Sequence, residues 1–112
     1  MAKSQKISLK AQPSKDKGKE KEVALVIQGE LTIDEATDLK DFLLQNLTKF
    51  DHFNIKVNNV QSIDLGAVQL LQRFIWDIQH GQKSYKFELK LSDDQRLLLE
   101  RAGFKSFLTL MN

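Results

Sequence analysis

Cysteine is absent from this chain of 112 residues, proline occurs once, and there are two histidines. Without cysteine there is no disulfide framework and no thiol chemistry, and the distant His52 and His80 cannot build a zinc site of the usual kind. The lack of disulfides fits a reducing compartment. No apolar run approaches the ~18 residues that cross a bilayer. The Lys-rich start also lacks the apolar segment of a signal peptide. The expectation is therefore a cytoplasmic chain with no direct membrane insertion. A Gly-rich phosphate loop and a Ser/His/Asp constellation are missing as well. No enzyme activity, cofactor or metal is expected.

What is present is an ordinary globular composition, 41% hydrophobic and 29% charged, in a length that holds one domain and leaves no room for a second. Residues 1–5 read as a disordered leader and 6–112 as the domain. The formal net charge of +2 is unevenly placed. Residues 1–21 carry seven Lys against Asp16 and Glu20, a net of +5, whereas residues 22–112 carry ten Lys+Arg against thirteen Asp+Glu, a net of −3. The basic isoelectric point thus belongs to the start of the chain and does not argue for nucleic acid.

Periodicity orders the elements. Ile7, Leu9 and Ala11 alternate with Ser8 and Lys10, as in a half-buried strand. Residues 13–21, from Pro13 to Lys21, contain no apolar side chain and read as the Lys-rich tip of a hairpin. The apolar run Val23–Ile27 predicts a central, doubly covered strand, with Gly29 turning the chain at its end. Thr32 and Glu35 are spaced as a capping box, opening a helix whose inner stripe is Ala36, Leu39, Leu43, Leu47 and Phe50. Acidic Asp34, Glu35, Asp38 and Asp41 suit its positive end.

Phe53, Ile55 and Val57 predict a third strand ending at Asn58-Asn59. Val60–Asp64 leads into a second helix with Val68, Leu71, Ile75 and Ile78 inward and Gly81 as its stop. Phe87, Leu89 and Leu91 form a fourth strand. Ser92 and Gln95 make a second capping box, opening a short helix through Leu97, Leu98 and Arg101 that stops at Gly103. Phe104–Met111 reads either as a last strand or as a docked tail. The order is β-β-α-β-α-β-α, and its later units favour parallel pairing.

Three segments in this order carry a resemblance. Gly29-Glu30-Leu31, between an apolar strand and a capped helix, resembles the Gly-(Glu/Arg)-Leu signature of the STAS domain, the family of anti-sigma factor antagonists. Ile63-Asp64 with Leu65–Leu71 resembles that family's central Ile-Asp-Ser-(Ala/Ser)-Gly-Leu-Gln-Leu-Leu segment. Lys86–Leu91, Ser92–Ala102 and Gly103-Phe104 resemble its closing half. The likeness spans about residues 6–108. It implies an α/β fold in which a four- to five-stranded mixed sheet has helices packed on one side.

The departures bear on function. In phosphorylated members the residue after this Asp is the Ser or Thr that an anti-sigma kinase modifies. Here it is Leu65, followed by Gly66, and neither has a hydroxyl, so no phosphorylation is expected at that position. An Asp common in the family eight residues before Asp64 is replaced by Lys56. Asp64 still fits an N-cap for the second helix. Gly66 and Ala67 keep its first turn small, which would let another surface approach the backbone. Leu65 is either an exposed apolar contact or a residue tucked into its loop. The candidate partner-docking face is Gly29, Glu30, Leu31, Thr32, Ile33, Asp64, Leu65, Gly66 and Gln69.

Other signals have simpler readings. Ser62 is the hydroxyl nearest the lost site and reads as a loop hydroxyl bonded to local backbone rather than a shifted phosphoacceptor. Asp93-Asp94 at a capping box suits the helix dipole better than acid–base work. The loop lysines alternate with acids and are not interleaved with aromatics, which favours a solvated tip over a nucleic-acid or lipid site. Phe42, Phe50, Phe74 and Trp76 read as core, with Trp76 a candidate for a dimer or partner contact.

The resemblance implies a non-enzymatic protein-interaction domain. Its partner would be an anti-sigma factor of the kinase-like ATPase type. A small STAS subunit of a lipid-transport ABC complex and a sensor-array or chemotaxis adaptor are the alternatives, and a homodimer is compatible with each.

Overall fold

The computed structural model describes residues 6–15 and 21–108. The expected leader, the centre of the hairpin tip and residues 109–112 lie outside the described residues. Four strands form one sheet in the order β1 (Ile7–Pro13), β2 (Glu22–Leu31), β3 (His52–Ile63), β4 (Ser84–Leu89). β1 runs antiparallel to β2, while β2–β3 and β3–β4 are parallel, so the sheet is mixed as expected. The helices are α1 (Ala36–Leu47), entered through a 3-10 turn at Ile33–Glu35, α2 (Leu65–His80), α3 (Asp93–Arg101) and α4 (Lys105–Leu108).

Alternation explains the layering, because successive side chains of a strand point to opposite faces. Val23, Leu25 and Ile27 of β2, Phe53, Ile55 and Val57 of β3, and Phe87 and Leu89 of β4 are all buried. They share one face, where they meet Leu39 and Leu43 of α1 and Ala67, Val68, Leu71, Phe74, Ile75 and Ile78 of α2. Phe53 and Phe74 touch edge to face at 5.4 Å. The other face carries Lys10, Lys56, Lys86 and Glu88, with Ala24 and Val26 only half-buried among them. The run Val23–Ile27 is therefore central but covered on one side only. Val26 sits in register between Lys10 and Lys56, whose alkyl stems can shade it from water.

Several boundaries differ from the sequence expectation. β2 does not end at Gly29 but continues to Leu31, and β3 runs past Asn58-Asn59 to Ile63. The two stay paired because the ladder slips: Ile27 faces Val57, Gly29 faces Val60, and Glu30 faces Ser62. β3 carries two extra residues, one before Val60 and one before Ser62; Asn59 takes φ 50° in this stretch, and Gly29 takes φ 100° on β2. Lys83 ties the α1–β3 connection, its ammonium donating to the carbonyl oxygens of Leu47 and, at 2.8 Å, of Phe50. The second capping box forms as expected, Ser92 and Gln95 exchanging bonds of 3.0 and 3.1 Å. Yet Leu99 is the buried residue of α3, and Leu97 and Leu98 face solvent. The Gln95 amide also donates to the Val60 carbonyl at 3.0 Å, which helps set that rotation.

Phe104–Leu108 is not a strand. Its helical turn buries Phe107 and Leu108, with Phe107 against Phe87 at 5.4 Å, which is the docked arrangement. Trp76 is not core either; it is exposed, stacked on His80 at 3.7 Å and overlain by Arg73 at 5.0 Å.

Gly29 is the position where backbone freedom is needed. A Cβ there would lie 2.4 Å from the Lys6 carbonyl oxygen, which accepts the Glu30 N–H at 2.9 Å. Gly29→Ala is expected to cost about 2–3 kcal/mol in urea denaturation, from the left-handed φ and the backbone clash together.

Candidate docking surface

Parallel pairing delivers the ends of β2 and β3 to the same edge of the sheet. Leu31 faces Ile63, and the next backbone N–H, that of Asp64, donates to the Leu31 carbonyl at 3.1 Å. Asp64 then leaves the strand with extended backbone and caps α2, its Oδ1 accepting the Ala67 N–H at 3.0 Å. Its second oxygen reaches across the chain. Oδ2 accepts the Ile33 N–H at 2.7 Å, at the start of the 3-10 turn that leads into α1.

One carboxylate thus satisfies orphan donors at two helical starts. The expected Thr32–Glu35 capping box is replaced by this arrangement. Thr32 makes no side-chain cap, although its carbonyl accepts the Glu35 N–H at 3.0 Å. Glu35 is a buried residue, and its carboxylate makes no bond to the Thr32 N–H among the described residues.

The clasp sets two apolar side chains at the surface. Ile33 is 60% exposed and Leu65 37% exposed. A Cβ on Gly66 would lie 2.7 Å from Ile33 Cδ1, so the Ile33 side chain rests in the space that Gly66 leaves. That space is filled from within the chain, and Ala67 is fully buried, so neither opens the backbone to a visitor as the sequence suggested. Leu65 is exposed rather than tucked away, and Gln69 is exposed one turn further along α2.

The remaining candidates fall into other roles. Leu31 is buried in the core beneath the patch, and Gly29 sits in the β2 irregularity against the backbone of Lys6. Glu30 is half-buried opposite Ser62. Lys56 lies mid-strand between Val26 and Glu88 on the uncovered sheet face, so it brings no charge to the start of α2. Ser62 is part of β3, not of a loop, and its hydroxyl is buried with no hydrogen-bond partner among the described residues. The double use of Asp64 was beyond sequence reasoning, because nothing local marks Ile33 as the second donor.

Elsewhere the chemistry is sparse. His52 Nδ1 and Ser84 Oγ meet at 2.5 Å, but the neighbouring Glu22 carboxylate is turned to the Asn54 amide at 3.5 Å, so no acid–His–Ser relay is assembled. Among the described residues no cluster of His, Cys, Asp or Glu is arranged to hold a metal, and no helix is long and apolar enough to cross a membrane.

No protein-family model matches the chain, and no curated protein matches it either. Solved structures do. SpoIIAA, a cell fate determinant of Bacillus, superposes in its phosphorylated form with a TM-score of 0.61 at 11% identity, over 88% of this chain and 86% of that one. The unphosphorylated form of SpoIIAA, an anti-sigma factor antagonist, gives a TM-score of 0.64 at 11% identity, over 88% and 84%. The fold is that of a STAS domain. The STAS domain of an antisigma-factor antagonist from Rhodobacter sphaeroides aligns as well, with a TM-score of 0.57 at 18% identity, over 70% of this chain and 83% of that one. At such identities the likeness is one of architecture, a four-stranded mixed sheet with its helices on one face.

Two substitutions probe the clasp. Asp64→Ala is expected to lose about 1–2 kcal/mol, with Asp64→Asn intermediate because an amide oxygen still accepts one of the two donors. Chemical denaturation of the three proteins checks the order. Ser62→Ala removes a buried hydroxyl that bonds nothing, and is expected to be neutral or to stabilise by up to about 1 kcal/mol in the same assay.

Proposed function

We propose that this chain is a non-enzymatic docking domain of the anti-sigma factor antagonist kind. Its face is built from Thr32 and Ile33 on one loop and Asp64, Leu65, Gly66 and Gln69 at the start of α2. The observation that supports this most directly is the exposed pair Ile33 and Leu65, held in place by the two hydrogen bonds of Asp64. A folding core has no use for two large apolar side chains fixed at the surface, whereas a partner surface does. Exposed Asp34 borders the patch, and Asp38 stands in the first turn of α1, so a partner with an apolar pocket and a basic rim is the best complement.

The partner class proposed is an anti-sigma factor of the ATPase-fold kinase type, whose capture would release a sigma factor. Phosphate at the start of α2 would place about −1.5 to −2 charges there. Leu65 has no hydroxyl to carry it. Control therefore acts through the amount of the protein, through competition or through the partner.

Leu65→Glu tests the reading without endangering the fold, because an acidic residue at a helix start suits the dipole. In calorimetric titration against a purified anti-sigma factor kinase, the wild-type domain is expected to bind and Leu65→Glu to bind at least about 100-fold more weakly, with an unchanged melting curve. Absent binding by the wild type, or equal binding by the variant, refutes it. Gly66→Ala separates stability from docking. It is expected to change stability by less than about 1 kcal/mol, because helix propensity gained and Ile33 packing displaced oppose each other, yet to weaken binding by pushing Ile33 out of its place.

A further inference from the structure

We propose that a second copy of this chain pairs with α3, antiparallel and about a two-fold axis between Leu97 and Leu98. Leu99 is the residue that α3 buries, while Leu97 and Leu98 are 42% and 45% exposed. Asp94, Leu97, Leu98 and Arg101 are spaced i, i+3, i+4 and i+7, so they line one helical face, and all four are exposed. Neither Asp94 nor Arg101 enters an ion pair among the described residues. The face is thus a leucine pair with an unspent acid at one end and an unspent base at the other.

Such a face is complementary to itself. In an antiparallel pair, the axis that sets Leu97 against Leu98 of the partner subunit also sets Asp94 against Arg101 of the partner subunit, and each contact occurs twice. This is the isologous arrangement that a two-fold dimer demands. The opposed helix dipoles reinforce it, since the positive start of each helix lies near the negative end of the other. α3 is presented rigidly for the purpose: the Ser92–Gln95 box closes its start, the Gln95 amide holds the Val60 carbonyl, and Gly103 at φ 90° follows its end.

Helices of nine residues bury less than the ~1,200 Å² of a standard interface, so the dimer is weak, with a dissociation constant on the order of 10–500 µM. None of Ile33, Asp64 or Leu65 takes part, so this pairing and the docking reading stand or fall separately.

Sedimentation equilibrium from about 10 µM to 1 mM reads it in the full chain, a range that brackets that affinity. The wild type is expected to shift from monomer to dimer, and Leu98→Glu to associate at least tenfold more weakly while melting normally. Asp94→Arg and Arg101→Asp should each be monomeric, because each homodimer would then face like charges twice. An equimolar mixture of the two should dimerise, because both ion pairs re-form, one with its signs exchanged and the other as in the wild type. A wild type that stays monomeric to about 1 mM, a dimer that survives Leu98→Glu, or a mixture that stays monomeric overturns the proposal.

Discussion

The parallel pairing of β2 with β3 is the constraint on which the rest of the structure depends. Parallel strands finish at the same edge of a sheet, and here they finish in register, Leu31 beside Ile63. The segments that follow, one entering α1 and the other α2, must therefore start side by side. An antiparallel pair would have sent them to opposite ends. Once they are adjacent, a single short carboxylate at Asp64 can serve both, and it does so with bonds of 2.7 and 3.0 Å. The exposed Ile33–Leu65 patch is a product of that adjacency and not of either segment alone.

The slipped register supports the same end of the sheet. β3 carries two more residues than β2 between the rows Ile27–Val57 and Leu31–Ile63, one before Val60 and one before Ser62. The slip also presents the Val60 carbonyl to Gln95, so the rotation of α3 is tied to a distortion in a strand remote from it in sequence. Ser62 is caught in this stretch, its hydroxyl buried and unbonded. At the opposite edge, Lys83 gathers the carbonyl oxygens of Leu47 and Phe50 and holds the end of α1 to the entry of β3. The sheet is clamped at both ends.

Much of this was legible in the residues. Alternation in Phe53–Val57 and Phe87–Leu89 placed strands, and the spacing of Leu39, Leu43, Leu71, Ile75 and Ile78 placed helices, because both periods are local properties of the backbone. The Ser92–Gln95 box was legible for the same reason. Thr32–Glu35 had an equivalent pattern and failed, since the segment closes as a 3-10 turn in which the Glu35 N–H goes to the Thr32 carbonyl and not to its side chain. The short helix through Leu97 and Leu98 formed as expected, but its inward residue was not legible. Three consecutive leucines leave the inward residue undefined until something outside the helix sets its rotation, and Gln95 on the Val60 carbonyl does so here. Trp76 was assigned to the core by its apolar spacing, yet the edge of a broad stripe lies at the surface when the neighbouring layer is only as wide as α1 and β4 allow.

The sequence by itself determined the order of the strands and main helices, the alternation of β3 and β4, and the lack of a hydroxyl at Leu65. These are statements about residue type and short-range spacing. Tertiary structure alone decided the second partner of Asp64, the filling of Gly66 by Ile33, the burial of Leu31 beneath the patch, and which leucine of α3 points inward. Each of these joins segments about thirty or more residues apart, or depends on a strand slip that does so. Such pairings are settled by register and by competition for a few backbone donors, and periodicity does not encode them.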